Sequence, residues 1–180
     1  MNEVMCLAED NGIKIFYQDT DSMHLFDKDV KPLAKLFKKE YGRELIGEDM
    51  GQFHTDFEVS DPDCDKSYPI TSVESYFLAK KNYIDKLEYK TEDGEIRHEY
   101  HIRAKGLPSS VIKELKCKIK TGNKIIVAKK EVDEYTDKTY DNVMEIYKDL
   151  FDDKCIEFDL AKACPLQMGK DYRARNTISF

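Results

Sequence analysis

Two aspartates two residues apart, Asp19 and Asp21, lie in the stretch Tyr17-Gln18-Asp19-Thr20-Asp21-Ser22. The segments either side, Ile13 to Phe16 and Met23 to Phe26, are mostly apolar. Ile13 to Tyr17 reads as a strand with Ile13, Ile15 and Tyr17 on one face, and Met23 to Phe26 as the returning strand. Gln18 to Ser22 reads as the turn between them, because Asp, Thr and Ser bond their own backbone. Such a hairpin carries two carboxylates to the edge of a core. At ~4 Å and an effective dielectric near 20 they repel by about 4 kcal/mol, which a bound cation offsets. Mg²⁺ suits the pair, since it takes few protein oxygens and keeps positions for water and phosphate. The plain alternative is a polar turn exposed to water.

A second set of groups suits a polyanion. Lys81 and Tyr83, in Leu78-Ala79-Lys80-Lys81-Asn82-Tyr83-Ile84, are two apart and share a face if the segment is a strand. An ammonium holds a backbone phosphate, and a phenol reaches a sugar or base edge. The competing reading is a half-buried strand with a lysine stem lying along it. Arg103 and Lys105 have the same spacing, and Lys113, Lys116, Lys118, Lys120, Lys124, Lys129 and Lys130 follow. Most of these lysines read individually as a solvated helix face. Between Lys80 and Lys130 there are 14 Lys/Arg against 7 Asp/Glu, although the whole chain carries a net charge of −7. The global balance argues mildly against nucleic acid, but an acidic body can still present a basic face.

Other constellations are weaker. His98 and His101 are three apart on a predicted strand, so they face opposite sides and make a poor metal pair. The five cysteines, Cys6, Cys64, Cys117, Cys155 and Cys164, are odd in number and lack CxxC spacing. They read as reduced thiols in an intracellular protein rather than as disulfides or a zinc site.

The elements that position these groups follow from periodicity and punctuation. Glu3 to Asp10 reads as a helix stopped by Gly12. Lys31 to Tyr41 reads as a helix capped by Asp29 and ended by Gly42, with Pro32 in its first turn and Leu33, Leu36, Phe37 and Tyr41 as its buried stripe. Gln52 to Glu58 alternates as a strand, and Asp61 to Pro69 is a loop. Tyr76 to Tyr89 is a strand pair or a bent strand, and Thr91 to Gly94 turns the chain into a strand through Lys105. A helix from Ser109 to about Lys120 ends at Gly122, and Tyr140 to Phe151 is an amphipathic helix. The last 25 residues are irregular or β.

At 180 residues the chain is one domain or a domain with an appendage, and its 11 Tyr and 9 Phe suffice for a core. No apolar run reaches the roughly 20 residues of a membrane-spanning helix, and the first residues lack the pattern of a secretory signal. The expected class is α+β: an antiparallel sheet with packed helices over residues 1–105, then a small α/β segment over 106–180.

The acid hairpin resembles the Tyr-x-Asp-Thr-Asp-Ser motif of family B DNA polymerases, with Gln18 at the variable position. Leu78 to Ile84 looks like that family's Lys-x-Tyr motif, carried by Lys81 and Tyr83. His101-Ile102-Arg103-Ala104-Lys105-Gly106-Leu107-Pro108 is similar to its crossing from palm to thumb. Met50-Gly51-Gln52-Phe53-His54 looks like its Leu-Gly-x-aromatic strand start. The spacings are nearest the protein-primed branch, which serves bacteriophages, adenoviruses, linear plasmids and related mobile elements. The resemblance covers residues 1–110 best.

The resemblance implies a palm portion (1–105) and a thumb-like portion (106–180). It implies nucleotidyl transfer from a dNTP to a primer 3′-hydroxyl or a terminal priming protein. Asp21 would ligate two Mg²⁺ ions with Asp19 auxiliary, supported by Tyr17, Thr20 and Ser22. Lys81, Tyr83, Arg103 and Lys105 would hold primer-template DNA. The Asp-x-x-Ser-Leu-Tyr-Pro stretch with the family's first metal-binding acid does not occur in these 180 residues. Nor does its Lys-x-x-x-Asn-Ser-x-Tyr-Gly helix or its proofreading acids. The chain therefore looks like a C-terminal part of a polymerase, whose missing region is supplied in cis or in trans. A binding module of different class, a palm that grips DNA or a priming protein without catalysis, stands as the alternative. A third is an acidic α+β domain with a chance motif.

Overall fold

A computed structural model describes residues 1–104, 119–124, 132–137, 140–159, 165–168 and 175–176. The protein is α+β, with helices beside antiparallel sheets. Its Cα positions cluster into two compact units, 1–71 with 88–97, and 72–87 with 98–180. The division runs through a hairpin rather than near Gly106.

Unit one opens with α1 (Asn2–Asp10), which ends where Gly12 adopts φ 68°. A two-stranded hairpin follows, β1 (Ile15–Asp19) and β2 (Ser22–Leu25), and then α2 (Asp27–Tyr41). The second helix starts four residues earlier than its apolar stripe indicates. Phe26, not Asp29, stands at its N-cap, and Asp27 and Asp29 place negative charge on the positive end of the helix dipole. Pro32 thus sits in the helix interior, where it has no N–H to donate. Gly42, at φ 67°, ends the helix, and its N–H caps the Lys38 carbonyl. Val4 and Ala8 of α1, Leu33 and Phe37 of α2, and Leu45 form the core of this unit. Ile15, Met23, Tyr41 and Phe53 pack on its margin.

Gln52 to Glu58 does not form a strand. Phe53 makes a single bridge to Ile46, its N–H donating to the Leu45 carbonyl and its own carbonyl accepting from Gly47. Alternating side chains there have no neighbouring backbone to continue a ladder. The loop from Asp61 is tied down by Asp61 itself. Its carboxylate accepts from the Tyr89 phenol at 2.7 Å, from the Asp63 N–H at 3.0 Å and from Arg97 at 2.9 Å. These contacts, the Tyr89 hydrogen bond foremost, hold its pKa down at about 2.

The second sheet has the order β3-β4-β5, formed by β3 (Thr71–Ala79), β4 (Asn82–Lys90) and β5 (Ile96–Ala104). The Tyr76–Tyr89 stretch is therefore a hairpin, turned at Lys80 and Lys81. In unit two, one face of this sheet meets α3 (Val143–Phe151). Leu78 and Ile84 join Val143, Met144, Ile146, Tyr147 and Leu150 of α3 in the core, with Ile156. Tyr76, Tyr100, Ile102 and Ala104 pack around them. Fully burying a side chain the size of Ile146 or Leu150 is worth roughly 1.5–3 kcal/mol. The helix begins at Val143 rather than Tyr140, because Asn142 adopts extended backbone and its Oδ1 accepts from the Glu145 N–H at 3.2 Å.

A five-stranded antiparallel sheet, in the order β10-β9-β8-β6-β7, completes unit two. Its strands are β6 (Ile119–Lys124), β7 (Val132–Asp137), β8 (Lys154–Asp159), β9 (Pro165–Met168) and β10 (Arg175–Asn176). The expected helix from Ser109 falls outside the described residues through 118. Ile119 and Lys120 belong to a strand, and Gly122 lies inside it, opposite Tyr135 and Cys155.

Candidate functional site

The acid hairpin forms with a tighter turn than its polar residues suggest. Gln18 and Asp19 belong to β1, Asp19 pairs with Ser22, and only Thr20 and Asp21 make the turn. Thr20 has φ 51°, a left-handed conformation that a β-branched residue rarely adopts. Its hydroxyl donates to the Asp19 carboxylate at 3.1 Å, and the Ser22 hydroxyl donates to the Asp19 carbonyl at 3.0 Å. Both hydroxyls thus brace Asp19, while Asp21 is exposed at the tip and Asp19 is half-buried.

The hairpin also breaks the expected alternation. Ile15 pairs with Leu25, but Tyr17 pairs with His24, so Phe16 is an extra residue in β1. Ile15 and Met23 meet the core, whereas Tyr17 does not share their face. Its ring stands edge-on to His24 at 5.6 Å, and His24 stands 5.9 Å from Phe57. Asp19, two residues on from Tyr17, shares Tyr17's side. The bulge is the physical reason that Ile13, Ile15 and Tyr17 do not line one face.

Lys81 and Tyr83 do not share a strand face. Lys81 is exposed in the β3–β4 turn with φ 60°. Tyr83 is 7% exposed on β4, its ring 5.7 Å from Phe77 and 6.0 Å from His101. It is a packed side chain on the sheet face opposite Ile84 and α3. Arg103, exposed on β5 and two residues on from His101, lies on that same face. Lys105 lies outside the described residues.

Sequence reasoning passed over Asp85, two residues beyond Tyr83. It is 0% exposed. Its Oδ1 accepts from Ser75 at 2.6 Å and from Ser72 at 3.3 Å, and His101 Nδ1 lies 3.7 Å from its Oδ2. Ser72 and Ser75 reach one acceptor because the alternation of β3 lapses between them, leaving Val73 and Glu74 both exposed. An aspartate on the strand face of Tyr83 and Leu87, each two residues away, was the available signal.

The donors at the hairpin tip are hard carboxylate oxygens, the type Mg²⁺ prefers, and two carboxylates with water and phosphate meet its usual needs. Among the described residues, no three His, Cys, Asp or Glu side chains gather as a metal cage. Nor is any helix there long and apolar enough to cross a membrane. Comparison with protein-family models, with curated proteins and with solved structures found no match.

Proposed function

We propose that the chain is the C-terminal palm and thumb portion of a family B DNA polymerase, of the protein-primed kind found in viruses, plasmids and organelles. One observation carries the reading. The Tyr17-to-Ser22 stretch folds as a β-hairpin with Asp19 and Asp21 at its tip and a strained Thr20 between them. Strained turn residues are costly, and they cluster where a site needs its groups held in place.

Asp21 would hold Mg²⁺ from the exposed tip, and Asp19 would support it. Bound there, two such ions would supply a lowered pKa for the primer hydroxyl and charge stabilisation for the leaving pyrophosphate. The chain's own residues set the geometry. Thr20 and Ser22 fix Asp19, and the pairing of β1 with β2 fixes the separation of the two acids. Arg103 and Lys81, both exposed, are the described cations proposed to meet primer-template DNA, with Lys105 beside them in sequence. The first metal-binding acid and the nucleotide-binding helix would come from outside these 180 residues, so the isolated chain should not synthesise DNA.

The test is Asp21→Asn in the complete enzyme. Primer extension should fall by at least about 100-fold, the scale of losing a main electrostatic contributor, with DNA affinity nearly unchanged. Extension at the unaltered rate would remove Asp21 from the metal site. The burial of Tyr83 favours a second reading, a non-catalytic module in which the hairpin keeps its shape. On that reading, adding the missing region in trans restores no synthesis.

A further inference from the structure

The residue inserted by the β1 bulge, Phe16, does not enter the core. It is 37% exposed, and its ring stands edge-on to that of Phe26 at 4.6 Å, itself 49% exposed. Each ring carries an ammonium from a lysine two positions away. Lys14 Nζ lies 4.8 Å from the Phe16 centroid, and Lys28 Nζ lies 4.9 Å from that of Phe26. All four side chains are exposed, and all belong to unit one. We propose that these two rings and two lysines form a platform for single-stranded nucleic acid, in which bases stack on the rings and the ammoniums pair with phosphates.

Magnitudes decide in favour of the base. An exposed ammonium–ring contact is worth about 2- to 5-fold in an equilibrium. A base stacked on an aromatic ring is worth about 5- to 150-fold in affinity. A base therefore displaces the ammonium from the ring face, and the flexible lysine stem swings the released charge to the adjoining phosphate. Phenylalanine has no polar atom with which to read a base edge, so the platform is indifferent to sequence. Duplex DNA offers it phosphates but no free base faces. Charge complementarity is partial, because Asp27 and Asp29 stand in the first turn of α2 beside Phe26. They steer the phosphates toward Lys14 and Lys28.

This inference does not depend on the metal reading of the hairpin tip, and its test is run in EDTA so that the two fail separately. The 180-residue chain is titrated into a fluorescein-labelled oligothymidylate of about ten nucleotides, and anisotropy is read across a salt series. Lys14→Ala with Lys28→Ala should flatten the slope of log affinity against log salt by about 1.4, two phosphate contacts on a single strand. Phe16→Leu with Phe26→Leu keeps apolar bulk but removes the aromatic face, and should weaken binding at least about fivefold with the slope unchanged. Asp27→Asn, which leaves the rings alone, should tighten binding at low salt. Three results would each overturn the proposal. One is unchanged affinity in the leucine variant, and another is equal affinity for a duplex of the same length. The third is self-association that the leucine variant abolishes, which would make a second copy the occupant.

Discussion

Asp85→Ala is the sharpest probe of unit two. The substitution deletes a fully buried carboxylate, together with the acceptor of the 2.6 Å bond from Ser75 and the longer one from Ser72, and it removes the neighbour of His101. A hydrogen bond to a carboxylate contributes about 1.5–3 kcal/mol, so losing the acceptor of two, one of them long, costs about 3–5 kcal/mol. For a chain of this size that lowers the melting temperature by roughly 6–20 °C. Ser75→Ala alone removes the bond to Asp85 and the 2.9 Å contact between the Ser75 and Ser72 hydroxyls, and should cost about 1.5–3 kcal/mol. The double variant discriminates. Once Asp85 is gone the Ser75 hydroxyl has lost its carboxylate acceptor and keeps only the Ser72 hydroxyl, so removing it adds little, and the cycle should show coupling of about 1.5–3 kcal/mol. Thermal unfolding of the four proteins reads all of this. If Asp85→Ala melts within about 2 °C of the unaltered protein, or if the two losses simply add, the buried cluster does not hold unit two together.

Other expectations rest on separate features. Asp61, held down at about 2 against an ordinary 3.8, binds fewer protons folded than unfolded, so its contribution is complete above pH 4. The contribution fades as pH falls from 3.8 toward 2, and the protection of amides in the 61–69 loop, relative to their intrinsic exchange rates, should fall across that window. Protection that stays constant down to pH 2 would contradict the network of Tyr89, Arg97 and the Asp63 N–H. Asn142→Ala removes the N-cap of α3 and should cost about 1 kcal/mol, seen as a melting shift of about 2–4 °C. No shift would show the cap to be idle.

The legible parts of the fold are those marked by local chemistry. Gly12, Gly42 and Gly94 adopt positive φ at the places where a helix stop or a turn was expected. The Thr91–Gly94 turn closes through Thr91 and Glu95, as its composition suggests. The Lys80–Lys81 turn was less legible, because it contains no Gly, Pro, Asn or Asp, and a left-handed lysine leaves no mark in the sequence. Long-range pairing was illegible too. Gln52 to Glu58 alternates but finds no ladder, while Ile119 and Lys120, read as the tail of a helix that ends at Gly122, belong to a strand flanked by β7 and β8. At the candidate site, local sequence sufficed for the hairpin and its acids. It did not suffice for Tyr83, whose burial between Phe77 and His101 depends on strands distant in sequence.

The inserted phenylalanine of β1 has a consequence for descent as well as for packing. Were Phe16 instead to take a regular place in the ladder, strict two-residue alternation would carry the inward aim of Ile15 through Tyr17 to Asp19. The carboxylate would then point toward the oily interior formed by Val4, Ala8, Leu33 and Phe37, at several kcal/mol for an unpaired charge. A three-base deletion at codon 16 would leave Tyr17 opposite His24 and Asp19 opposite Ser22 in a regular ladder, so the acid motif would keep its present side. Relatives of this chain should carry either one bulged residue here or none, since both keep Asp19 on its present side.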